Sequence, residues 1–269
     1  MRRRRPIATL AALLAATALA PACGGDDRSG RPNVIAPADD TPAATQAAPA
    51  AAPRAAAPLT AAQLAGQHVV FPFAGRTPPP ALLERIRRGE AAGVVLFARN
   101  VGTVAQVRAL TARLQRVARP RGLRAPLLVM VDQEGGPVKR LPGAPSRSPR
   151  ELAAAGSAAV ARTEGGATAR TLRAAGANVA LAPVLDVARP GGAIEREGRA
   201  LGATAGAVAR VGTAFAAGLQ DGGVAATAKH FPGFGAATLN TDDGATVVPL
   251  PAPTLRRVDE APFAAAVRG

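Results

Sequence analysis

Five apolar runs punctuate the chain beyond Leu59: "HVVFPF" (68–73), "GVVLF" (93–97), "PLLVMV" (126–131), "NVALAP" (178–183) and "VAATAK" (224–229). They are continuously apolar rather than alternating, the pattern of strands buried on both faces of a parallel sheet. Amphipathic segments separate them. The clearest opens with Thr103 and Gln106, a capping-box spacing, carries Val104, Val107, Leu110, Leu114 and Val117 on one face, and is stopped by Pro120. Ala205–Leu219 and Thr254–Arg268 are predicted as further helices. His68, inside the first predicted strand, reads as a core or rim histidine. Strand, loop and helix repeated in this order predict an α/β fold with right-handed crossovers.

Polar residues choose between two such folds. Arg99 and Asn100 follow the second run, Asp132 and Glu134 the third, Asp186 the fourth, and Lys229 and His230 the fifth. A (β/α)8 TIM-type barrel brings all strand C-termini to one mouth and so gathers these groups. No glycine fingerprint opens a helix after the first run, which argues against a doubly wound sheet holding a dinucleotide. The expectation is a barrel, with residues 58–269 covering roughly its first five to six βα units.

The first 57 residues have a different texture. Arg2 to Arg5 form a positive n-region, Ile7 to Ala20 an apolar h-region, and Ala20 and Ala22 flank Pro21 just before Cys23, as in an export signal. The apolar run is shorter than the roughly 18 residues that a spanning helix needs. Residues 1–22 are therefore expected to be a lipoprotein-type signal peptide, and Cys23, the single cysteine, a diacylglycerol-modified first residue after a lipobox-like site. The alternative is a plain thiol within a signal that is discarded or kept as an anchor. Residues 23–57, rich in Ala, Pro and Asp, read as a linker that would hold the domain clear of a membrane. Net charge is +15, and +11 remains once the four signal arginines are set aside. A nucleic-acid partner is not expected, since the arginines are spread along helices and the chain has neither Tyr nor Trp for base stacking.

Four motifs carry a resemblance: "GVVLFARNV" (93–101), "LLVMVDQEGGPVKRLPG" (127–143), "NVALAPVLDVARPGGAIEREGRALG" (178–202) and "KHFPGFG" (229–235). In this order and spacing they resemble glycoside hydrolase family 3, most of all its bacterial β-N-acetylhexosaminidases. The resemblance implies that Asp132 accepts hydrogen bonds from sugar hydroxyls and that Arg140, Lys229, His230 and Arg199 also hold the sugar. Arg199, in "GRALG", matches the family arginine better than its neighbour Arg196, and Leu201 stands where the family has an aromatic residue. A carboxylate that accepts hydrogen bonds from hydroxyls, beside cations that donate back, suits a polyol. Asp186 has a plain alternative as a helix cap or arginine partner, and Glu134, Gly135 and Gly136 have one as turn formers.

Retaining glycosidases need a nucleophilic carboxylate and a general acid about 5 Å apart. In the family branch resembled, the acid is a histidine supported by an aspartate in the pattern KHFPGHG followed by D-S-H. Laid on this sequence without gaps, that pattern puts Phe234 on the turn histidine, Asn240 on the aspartate, Thr241 on the serine and Asp242 on the acid histidine. Three readings stay open. Asp242 could be the proton donor, its pKa raised by burial or by Asp243. The acid could come from another domain, or the protein could bind sugar without cleaving it. "TLRRVDEAPFAAAVRG" (254–269) matches the family's D-x-x-PF helix, so the nucleophilic aspartate and the last three strands are expected beyond residue 269 and the sequence reads as a fragment. The expected protein is an exported monomer, tethered to the outer face of the membrane by a lipid anchor. It would act on β-linked N-acetylglucosamine in cell-wall or chitin-derived carbohydrate without metal or organic cofactor. β-Glucosidase and β-xylosidase activity are the alternatives within the fold.

Overall fold

The computed structural model describes residues 58–268; the predicted signal (1–22), Cys23 and the linker (23–57) lie outside the described residues. Helix α1 (Ala61–Gly66) starts from a complete capping box on Thr60 and Gln63 and leads into β1 (Val70–Phe71). There follow α2 (Pro80–Arg88), β2 (Gly93–Leu96), α3 (Val104–Gln115) and β3 (Leu128–Val131). A short hairpin, β4 (Gln133–Gly135) with β5 (Val138–Lys139), precedes α4 (Pro149–Ala155) and α5 (Ala158–Ala174). Then come β6 (Val179–Ala180), α6 (Ala193–Arg196), α7 (Ala205–Asp221), β7 (Ala225–Ala226), α8 (Ala252–Thr254) and α9 (Ala261–Arg268).

The five strands β1, β2, β3, β6 and β7 form one parallel sheet in that spatial order. Each strand pairs with the next strand of the sheet along the chain, in registers such as Val94 with Val129 and Val179 with Ala225. A sheet that advances in one direction is a stretch of barrel wall, whereas a doubly wound sheet reverses at a switch point. The observed wall therefore supplies five βα units of the expected barrel. Val94, Leu96, Val129 and Val131 are fully buried against Ile86, Leu114, Leu172, Phe215 and Leu219 of the covering helices. These four share the helix-covered face of the sheet; on the other face Val95 and Met130 are half-buried and Leu128 is exposed, so the runs are apolar on both faces while only one is fully buried among the described residues.

Helix α3 follows the predicted stripe, with Val107, Leu110 and Leu114 buried, and Thr103 accepts from the Gln106 amide at 3.1 Å. The reciprocal bond goes one residue earlier, from the Gly102 amide to the Gln106 side chain at 2.8 Å. Helices α5 and α7 lie so close that a Cβ on Gly165 would come within 2.2 Å of the Phe215 carbonyl oxygen, and one on Gly218 within 2.1 Å of the Arg162 carbonyl oxygen.

Two expectations are corrected. His68 is exposed in the turn after α1, not in a strand, because β1 begins only at Val70. The single helix expected over 254–268 is interrupted by a wide turn at Leu255–Asp259, where the Glu260 amide reaches back to the Leu255 carbonyl at 3.0 Å. Pro262 is the cause: its ring would clash with the carbonyl four residues earlier in a continuous helix. Among the described residues no helix is long and apolar enough to cross a membrane.

Because the α5–α7 contact has no room for a side chain, Gly218→Val is expected to cost about 2–3 kcal/mol, an overpacking penalty. Urea denaturation compared with the wild type measures it, and Gly206→Ala, where a Cβ would meet nothing within 4 Å, serves as the clash-free control and should be neutral to slightly stabilising.

Candidate functional site

The chemistry-bearing residues emerge at the C-terminal ends of β3, β6 and β7. Asp132 directly follows β3 and Glu134 lies in β4, so the alternation of side chains sends both one way and Gln133 between them the other. Gln133 is fully buried and fixes the hairpin: its Nε2 donates to the carbonyls of Leu141 (3.0 Å) and Ala144 (2.8 Å), and its Oε1 accepts from the amides of Arg140 and Leu141. The turn bends back at Gly135 and Gly136, with φ of 100° and 56°. At Gly135 a Cβ would meet the Arg147 carbonyl oxygen at 2.7 Å, so this turn requires glycine.

Lys229, in the extended segment after β7, places its Nζ between Asp132 Oδ1 (2.7 Å) and Glu134 Oε1 (2.6 Å). Arg199, from the segment after α6, donates through Nε and Nη2 to the two oxygens of Glu134, both at 2.8 Å, and through Nη1 to Glu197 Oε2 at 2.9 Å. Burial alone would lower the Arg199 pKa, but the Glu134 and Glu197 carboxylates outweigh it and hold the guanidinium above its ordinary value. Glu197 shows the same contest: burial raises it, while hydrogen bonds from Asn240 and Arg199 and the charges of Arg199 and Arg196 bring it net below its ordinary value.

Asp186 is fully buried in the segment after β6 and grips the loop after β7. Its Oδ1 accepts from the His230 amide (3.2 Å) and the Phe234 amide (2.7 Å), and its Oδ2 lies 2.6 Å from His230 Nδ1. That contact sets the imidazole so that Nε2 lies 3.5 Å from Arg199 Nη2. Arg140 is the least committed cation, its Nη2 3.9 Å from Asp132 Oδ2.

The structure thus brings Asp132, Arg140, Arg199, Lys229 and His230 into one cluster. Arg196 lies outside it, exposed, with Nη2 on the Thr238 carbonyl at 2.6 Å. Asp242 is exposed on a turn in which Asn240 Oδ1 accepts from the Asp242 amide at 3.1 Å, so the burial invoked to raise its pKa is not present. Asp186 and Glu134 are more than the cap and turn formers that the sequence allowed. Glu197 escaped sequence reading altogether, for an acid two residues before an arginine gives no local signal. Among the described residues no three His, Cys, Asp or Glu side chains gather as a metal would require. The clustered carboxylates are instead matched to Lys and Arg, an arrangement of fixed acceptors and donors suited to a neutral polyhydroxylated ligand.

The model of the glycosyl hydrolase family 3 N-terminal domain matches residues 63–269. The chain belongs to glycosyl hydrolase family 3. A secreted glycosyl hydrolase of Arthroderma benhamiae, itself uncharacterized, is 37% identical over 76% of this chain and 59% of its own length. A β-hexosaminidase of Xanthomonas oryzae is 36% identical over 68% of this chain and 55% of its own. The chain therefore spans little more than half the length of these curated relatives. Among solved structures, a family 3 β-N-acetylglucosaminidase of a Paenibacillus species superposes with a TM-score of 0.72 at 39% identity, covering 79% of this chain and 41% of that one. This family 3 domain shares with that structure the barrel wall on which the cluster is mounted.

Removal of one partner from the buried core of the cluster should be far worse than removal of both. Glu134→Ala leaves Arg199 buried without its main counter-ion and is expected to cost about 3–5 kcal/mol, whereas Glu134→Leu with Arg199→Met should recover most of that stability. Chemical denaturation of the three proteins checks the order.

Proposed function

We propose that this chain holds the sugar in an exported glycoside hydrolase that removes terminal β-linked N-acetylglucosamine with retention of configuration. The observation that carries the reading is the convergence of Asp132, Lys229, Arg199 and His230 from three strand ends onto one rigid cluster. Asp132 would accept hydrogen bonds from two sugar hydroxyls, while Arg140, Lys229 and His230 would donate hydrogen bonds to their oxygens. The names borne by the Xanthomonas and Paenibacillus relatives support the amino sugar over glucose or xylose. Secretion of the Arthroderma relative supports export. Anchoring through Cys23 is part of the same proposal, resting on the sequence pattern around it.

For the chemistry, the reading assigns proton donation to Asp242 and expects the nucleophilic carboxylate beyond residue 269. An exposed carboxylate protonates the leaving oxygen efficiently only if the bound sugar covers it and raises its pKa. Exposure of Asp242 and the Asn at 240 favour a second reading, a family 3 protein that grips sugar without cleaving it.

The test, made on the full-length gene product that would include the nucleophile, is release of 4-nitrophenol from the β-N-acetylglucosaminide beside the β-glucoside and β-xyloside. Turnover of the first alone is expected. Asp132→Ala should abolish sugar binding while leaving the denaturation midpoint nearly unchanged, and wild-type affinity in that variant would sink the site. Asp242→Asn should slow a poor leaving group by about 10²–10⁴-fold, the usual contribution of a general acid. Sugar binding with no turnover of any substrate would select the second reading.

A further inference from the structure

The loop that carries Asp242 is fastened to the segment around α6 at successive points. The Ala193 amide donates to the Ala237 carbonyl at 2.8 Å, and Arg196 Nη2 to the Thr238 carbonyl at 2.6 Å. Asn240 Nδ2 donates to Glu197 Oε1 at 2.8 Å, and Asn240 Oδ1 accepts from the Asp242 amide at 3.1 Å. Glu197 uses its other oxygen to accept from Arg199 at 2.9 Å. A continuous path of hydrogen bonds therefore runs from the Asp242 backbone through Asn240 and Glu197 to the guanidinium that also grips Glu134.

The chemistry of this path dictates the residue at 240. Glu197 is an acceptor on both oxygens, and the Arg199 charge and the Asn240 bond hold it net below the usual carboxylate range, so it remains ionised. Its neighbour must therefore donate. An aspartate at 240 could still accept from the Asp242 amide but would face Glu197 with a second negative oxygen at hydrogen-bond distance, an arrangement that like charges disfavour. An amide alone satisfies both contacts, because it is an acceptor at one atom and a donor at the other.

We propose that Asn240 and Glu197 are a matched pair of positioning residues, a latch that sets the height of the Asp242 turn against the sugar cluster. The proposal rests on the glycosidase reading for what the turn does, but the latch itself can be tested without sugar. Amide hydrogen exchange of residues 236–243 in the full chain reads it directly. Asn240→Asp should raise exchange at the Asp242 amide and its neighbours by about tenfold, the loss of one net hydrogen bond with some repulsion added. Glu197→Gln combined with Asn240→Asp swaps the amide and the carboxylate across the same contact and should bring exchange back to within about threefold of wild type, as a recovered hydrogen bond would. Unchanged exchange in Asn240→Asp, or a double variant no better protected than the single, would overturn the proposal. A loop that merely needs a residue of this size would not respond to the swap.

A second readout separates the latch from the functional reading. In 4-nitrophenyl β-N-acetylglucosaminide hydrolysis, Asn240→Asp should lower kcat with KM nearly unchanged, and the double variant should regain it. A full-length gene product with no turnover would count against the hydrolase reading, while the exchange result would still decide the latch.

Discussion

The site depends on one buried carboxylate. The Glu134 side chain is 1% exposed, and a charge so placed is tolerable only when it is neutralised at short range and its lone pairs are filled. Arg199 fills both oxygens from one side and Lys229 reaches one from the other. These partners arrive from the segments after β6 and β7, whereas Glu134 belongs to the hairpin after β3. Segments that follow three different strands are in this way bound to one another by charge. Sugar would meet donors and acceptors already in place, with little left to order on binding.

Away from that centre the constraint relaxes. Asp186 has no exposed surface and clamps His230 and Phe234, while Asp132 keeps some exposure and shares Lys229. Arg140 is 27% exposed and only loosely paired. Asp242 is exposed, and its turn is held through Asn240, which donates to the Glu197 carboxylate and accepts from the Asp242 amide. The proposed sugar cluster is thus the tightly paired part of the site, and the proposed proton donor stands on its exposed part.

Much of this was visible in the sequence because it follows from short-range rules. Continuous apolar runs identified all five sheet strands, because both faces of such strands are apolar, and the α3 stripe and its Thr103 cap were equally local. Asp132, Lys229 and His230 could be found because each follows a strand that the pattern had already placed. What escaped is non-local. Asp186 reads as a cap until the fold brings His230, 44 residues on, to its side chain, and Glu134 as a turn former until Arg199 arrives from 65 residues away. Strand ends were also overestimated, as at His68, because hydrophobicity does not say where a ladder begins.

The interrupted C-terminal helix shows that such departures can be structural assets. Pro262 forces the wide turn at Leu255–Asp259, and that turn buries Asp259 completely while pairing it with Arg189 at 2.6 Å. Arg189 lies three residues after Asp186, and Gly233 packs so tightly on Asp259 that a Cβ there would come within 2.5 Å of the aspartate's own. The bend therefore presses at once on the segment that holds His230 and on the loop that contains it. The proline thus makes a bend in the chain into a brace for the site.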